Sequence, residues 1–151
     1  MLPDKSAPNP AAHWLAFANE DLAYATMPLP ESAGYNIACF HAQQAVEKAL
    51  KAVLAFRGIE FERLHSIGYL QRLLPEKLGQ PACLLDAVAL TRFAVVSRYP
   101  GDYEPITEAD YQEALRVATE VVTWVGTILT STPGAGARSP DGPGAIPPNL
   151  I

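Results

Sequence analysis

The chain has 151 residues, enough for one domain with a proper core, and its 49% hydrophobic and 18% charged residues are ordinary for a globular protein. A net charge of -5 and an isoelectric point near 5.1 argue against the broad basic surface needed to grip duplex nucleic acid by its phosphates, while leaving room for a local basic pocket for one nucleotide or a strand end. No apolar run approaches the roughly 18 residues of a membrane span and "MLPDKSAPNP" lacks the apolar core of a secretory signal, so a cytoplasmic protein without membrane contact is expected.

Pro3, Pro8 and Pro10 make residues 1–10 a loose arm. Trp14, Phe17, Leu22 and Ala25 then recur near helical spacing, with Asn19, Glu20 and Asp21 on other faces, which predicts a helix over about 11–27. "PLPES" ends it and starts a second helix over about 32–57. There Cys39, Ala42, Val46, Ala49, Val53 and Phe56 follow spacings of 3, 4, 3, 4, 3, a coiled-coil-like seam. Ala42, Ala45 and Ala49 allow a neighbouring helix to approach closely, and Gly58 is a C-terminal stop.

Ser66 caps a short third helix, "IGYLQRLL", that stops at Pro75. "ACLLDAVALTRFAVVSRY" reads as a fourth helix with Leu84, Val88, Thr91 or Arg92, and Val95 inward, ended by Pro100 and Gly101. Thr107 and Asp110 form a capping box, with Asp in the place of the usual Glu, for a last helix over 108–130. No segment alternates in the manner of a strand. The final 21 residues hold five Pro and four Gly and cannot build a core. The expectation is an all-α, antiparallel up-and-down bundle of four long helices and one short one over 11–130, between an arm (1–10) and a flexible tail (131–151).

Cys39 and Cys83 sit among apolar neighbours and read as buried, reduced thiols; no Cys/His metal spacing and no cofactor motif is present. Glu20 with Asp21, and Glu60 with Glu62, read as solvated acids, His65 as a structural residue before a cap, and His13 as exposed. Two clusters carry functional interest. His41, Gln44, Lys48 and Lys51, spaced 3, 4, 3, share one helix face. That face is either solvated, with Glu47–Lys51 as an ordinary i,i+4 pair, or a row of groups able to hold a phosphate and a base edge. In "SRYPGDYEPIT", Arg98 is either a cation beside unpaired helix carbonyls or a planar fork for phosphate, with Tyr99 or Tyr103 as a stacking ring.

The Trp- and Ala-bearing first helix, "YNIACFHAQQAVEKALKAVLAFRG", "HSI" and "VVSRYPGDYEPITEADYQEALRVATEVVTWV", taken in order, resemble the HEPN domain family, the higher-eukaryote and prokaryote nucleotide-binding domains, over about residues 12–129. The resemblance implies an up-and-down bundle that commonly forms homodimers. Many members are paired with a minimal nucleotidyltransferase in toxin–antitoxin or related two-component systems, some are ribonucleases, and some are described as nucleotide-binding. The ribonuclease branch uses an Arg, four to six intervening residues, then a His. Arg98 matches the Arg by place, but no histidine follows His65, so no catalytic residue is assigned. The resemblance implies a nucleotide-binding or nucleotidyltransferase-partner module acting through His41, Gln44, Lys48, Lys51, Arg98, Tyr99 and Tyr103. Gln43, Gln44 and Lys48 are expected to serve polar networks as much as ligand contact, lining a cleft near Arg98. The alternatives are a ribonuclease toxin that substitutes His65 or His41, and a purely structural oligomerisation module built on the small-residue seam.

Overall fold

The computed structural model describes residues 9–96 and 100–131; for residues 95 and 96 it describes the backbone alone. Most of the arm and all but the first residue of the tail expected from sequence, and the candidate site residues Arg98 and Tyr99, lie outside the described residues. Within them the fold is all-α, with no strand.

Helix α1 spans Pro10–Thr26. The Asn9 side chain accepts a hydrogen bond from Ala12 N at 3.1 Å, and Pro10 occupies the first turn, where its missing N–H costs nothing. Pro28 and Pro30, unable to continue a helix, follow its end. Helix α2 spans Asn36–Phe56 and starts four residues later than the sequence suggested. Ala33 N donates to Pro30 O instead, closing a turn, and Tyr35 stacks on Tyr111 with ring centres 5.0 Å apart. At its far end Gly58 takes φ +68°, Gly58 N donates to Ala55 O and Ile59 N to Leu54 O, a Schellman closure that needs a residue without Cβ strain.

Helix α3 (Ile67–Leu73) is capped by Ser66, whose hydroxyl accepts from Tyr69 N. The fourth long helix of the sequence reading is instead three pieces: α4 (Ala82–Ala87), a 3₁₀ stretch over Val88–Arg92, and α5 (Phe93–Val96). The reason is the apolar period. Leu84, Ala87, Leu90 and Phe93 are all buried and recur every three residues, so 3₁₀ winding at three residues per turn holds them on one side. Val88 and Arg92, expected inward, face solvent. Helix α6 (Glu108–Thr130) opens on the full capping box: Thr107 Oγ1 accepts from Asp110 N, and Asp110 Oδ2 accepts from Thr107 N.

Helix direction follows from named contacts. Tyr111 Oη, near the start of α6, donates to Ala25 O, near the end of α1, at 2.9 Å. His41 meets Asp21 and Lys51 meets Trp14, so α2 also runs against α1. Arg92 pairs with Asp110 and Asp86 with Arg116, so the broken fourth segment runs against α6. The result is the expected up-and-down bundle. The α1–α2 seam is its most extensive contact, and the small residues Ala18 and Ala25 of α1 and Ala38, Ala42, Ala45 and Ala49 of α2 are all buried.

Cys39 and Cys83 are free and buried. Burial, reinforced by the nearby Asp110 carboxylate, pushes the Cys39 thiol up to about 11. The folded state therefore favours the protonated thiol, a contribution intact below the free value near 8.5 and lost as pH rises through about 11. At pH 8 Ellman's reagent is expected to leave Cys39 unmodified in the native protein and to label it promptly in denaturant; prompt native labelling contradicts its burial. Thr107→Ala is expected to lower stability by about 1 kcal/mol in urea denaturation without changing the helical circular dichroism spectrum.

Candidate functional site

Helix α2 is buried on most of its circumference, with 13 of its 21 residues enclosed, so its polar residues must find partners inside the protein. They do so around two carboxylates. The first is Asp21 on α1, only 7% exposed. Its Oδ1 lies 2.8 Å from His41 Nδ1 and its Oδ2 accepts from Lys48 Nζ at 2.5 Å. An ionised carboxylate only accepts, so Nδ1 carries the proton and the His41 Nε2 remains as the ring's other face. Tyr24 stacks on the His41 ring at 5.2 Å, Phe40 meets it edge-on, and the Lys48 ammonium stands 6.0 Å from the Phe17 ring. His41 and Lys48 stay partly accessible.

The second carboxylate is Glu47, 1% exposed. Its Oε1 accepts from Lys51 Nζ at 2.6 Å and lies 3.2 Å from His65 Nδ1; its Oε2 accepts from Gln43 Nε2 at 3.1 Å and Gln44 Nε2 at 3.3 Å. Gln44 also donates to Gln43 Oε1 at 2.7 Å. Lys51 is itself only 6% exposed and sits in an aromatic box, 5.2 Å from the Trp14 ring centre and 6.0 Å from that of Phe61. The network ties α1, α2 and the connector before α3 to one buried anion.

The structure therefore corrects two readings of the sequence. Asp21 is not a solvated acid but lies in register with the stripe Ala11, Trp14, Ala18, Asp21 and Ala25, all buried. Lys51 and Glu47 are an i,i+4 pair, as expected, but a buried one rather than part of a wet face. Of the residues singled out, His41 and Lys48 share Asp21, while Gln44 and Lys51 share Glu47. His65 joins Glu47 and its ring remains exposed. Asp21, Gln43 and Glu47 were not among the candidate site residues. For Asp21 the usable signal was a charged residue at an apolar-stripe position; for Glu47 it was the absence of any wholly polar face on α2.

Tyr103 lies elsewhere. It is exposed in the loop before α6 and, with Pro100, Gly101, Pro105 and Asn36, lines a hollow of about 170 Å³ at the start of α2. At 1.5 Å per residue, His41 is roughly 8 Å along α2 from Asn36, Lys48 roughly 18 Å and Lys51 roughly 22 Å. None of His41, Gln44, Lys48 and Lys51 lines that hollow. Arg98 and Tyr99, which precede this loop, lie outside the described residues. Among the described residues no cluster of His, Cys, Asp and Glu is arranged to hold a metal ion, and no helix is long and apolar enough to cross a membrane.

A helical bundle whose central helix carries this buried polar row is the class of protein defined so far. The family model of the HEPN domain matches residues 11–128, so the chain belongs to the HEPN family. It is 32% identical over 120 residues to MJ1304 of Methanocaldococcus jannaschii, named as a candidate toxin; the match covers 70% of this chain and 78% of that protein. The fold is similar to the crystal structure of ST0689, an archaeal HEPN homologue, with a TM-score of 0.61 and 34% identity over 79% of this chain and 97% of the other.

Because Glu47 neutralises a buried ammonium, removing either partner strands the other. Glu47→Ala is expected to destabilise the fold by about 3–5 kcal/mol in chemical denaturation. The paired change Glu47→Leu with Lys51→Met is expected to cost clearly less than the sum of the single changes. Additive losses in that cycle contradict a coupled buried pair.

Proposed function

We propose that this HEPN bundle acts by binding rather than by catalysis, as the partner of a minimal nucleotidyltransferase in a two-component pair, and that it does so as a homodimer. The observation that carries the reading is the commitment of the basic groups on α2 and the connector after it. His41 and Lys48 are held by Asp21, and Lys51 and His65 by Glu47, so the row is electrically balanced and held in place rather than poised to pass protons. Balanced groups make a weak trap for a free anion but a well-ordered surface for a protein partner. Nucleotide contact, in this reading, falls to the accessible edges of His41 and Lys48 and to the Arg98, Tyr99 and Tyr103 segment. Gln44 and Lys51 hold the row in place from behind. The kinship to a candidate toxin supports a two-component setting.

A ribonuclease toxin is the second reading, favoured by the same kinship and by the Asp21–His41 contact, which leaves Nε2 available as a base. Against it stands the order of the chain, whose histidines are His13, His41 and His65, none of them after Arg98.

Co-expression with the nucleotidyltransferase of the adjacent open reading frame is expected to yield a stable complex, and calorimetry with ATP and GTP to show binding whose affinity His41→Ala or Arg98→Ala lowers at least about fivefold, roughly 1 kcal/mol. The absence of both a complex and heat removes the proposal. Growth arrest on expression of the wild type, relieved by both Arg98→Ala and His41→Ala, selects the ribonuclease instead.

A further inference from the structure

The 3₁₀ break in the fourth segment leaves a groove between α4 and α6 that shares no residue with the polar row of α2. Its volume is about 280 Å³, just below the range usual for small-molecule pockets, and it is open rather than enclosed. Leu90, Phe93, Ala114 and Val117 form an apolar floor, and Leu85, 63% exposed, stands at its edge. Val88, the next outward residue of the same segment, is also exposed. The rim is acidic. Asp86 and Glu113 both bind Arg116, which also reaches Glu120, while Asp110 pairs with Arg92. Four carboxylates thus meet two guanidiniums, and among the described residues the rim keeps two net negative charges.

We infer that this groove is a docking site for a basic amphipathic helix of a partner protein. From Asp110 to Val117 the groove follows α6 for roughly 10 Å, the length of two helical turns. An incoming helix with apolar residues at i, i+4 and i+7 places one or two of them against the exposed Leu85 and Ala89 above this floor. Flanking Lys or Arg residues then meet Asp86, Asp110 and Glu113. Arg116 strengthens this selection, because it holds the carboxylates in fixed positions while leaving them collectively in excess.

The test uses the full chain and a fluorescein-labelled Leu/Lys amphipathic helix of about 16 residues, with a Leu/Glu helix of the same pattern as control. Fluorescence anisotropy is expected to show saturable binding of the Lys peptide, weakened at least about fivefold between 0.05 and 0.3 M salt, and none of the Glu peptide. Amide shifts in nuclear magnetic resonance spectra are expected to centre on Leu85, Ala114 and Val117. Leu85→Lys, on an exposed position that leaves the core intact, is expected to weaken binding at least about tenfold, and Glu113→Lys to do so independently. Equal binding of both peptides, insensitivity to both substitutions, or shifts centred elsewhere overturns the inference. So does a wild-type dimer in sedimentation that Leu85→Lys converts to monomer, since a second copy then occupies the groove.

Discussion

The constraint on which this bundle rests is the burial of two carboxylates, Asp21 between α1 and α2 and Glu47 between α2 and the connector before α3. A buried carboxylate without partners costs several kcal/mol, so the seam forms only in a register that brings every compensating group into place. Asp21 needs both His41 and Lys48, one heptad apart on α2. Glu47 needs Lys51 and Gln43 from its own helix, Gln44 beside them and His65 from the connector. Sliding α2 by one turn breaks both contacts of Asp21 and carries Glu47 away from His65, while its partners on α2 move with it. Apolar alanines specify close approach but tolerate slippage; the carboxylates convert approach into a single alignment, much as a polar residue fixes register in a coiled coil.

Closeness and charge depend on each other here. Aspartate has a short side chain, and Asp21 reaches His41 and Lys48 on α2 in a part of the bundle where the buried residues Ala18 and Ala25 of α1 and Ala38, Ala42 and Ala45 of α2 are small. Lys51 supplies the converse case. Its long side chain is stabilised by Trp14 and Phe61, so the ammonium is enclosed by aromatic faces as well as by Glu47. The connector carrying Phe61 and His65 is thereby fixed against the same network, and α3 follows it with Ile67 and Leu70 fully buried in the core.

Much of this architecture was legible in the sequence, and the parts that were not have identifiable causes. Local signals spoke directly: the Ser66 cap, the Gly58 stop and the Thr107–Asp110 box appear as read, because each depends on a few adjacent residues. The fourth segment misled because a period of three and a period of 3.6 diverge slowly; Leu84 satisfies both, and they part at Ala87 against Val88 and at Leu90 against Thr91 or Arg92. Asp21 and Glu47 were hidden for a different reason. Their burial follows from which helix faces which, a tertiary fact, and a charged residue at a stripe position looks like a solvated neighbour until its partner is placed. The spacing 41, 44, 48 and 51 marked a meaningful face, but could not show that the anions holding it come from within the protein.

That distinction bears on what the surface of the bundle can recognise. Exposed lysines attract anions at a distance; a lysine already neutralised by Asp21 has little field to offer and contributes shape and short-range hydrogen bonds instead. The α2 row is therefore suited to contacts made after a partner has been oriented by something else. The excess negative charge of the α4–α6 rim is not cancelled in this way, since three carboxylates share Arg116 and their remaining acceptors face solvent. In a protein of net charge -5, long-range attraction favours cationic groups over anionic ones, and the balanced row beside Tyr24 and Phe17 adds little to that field.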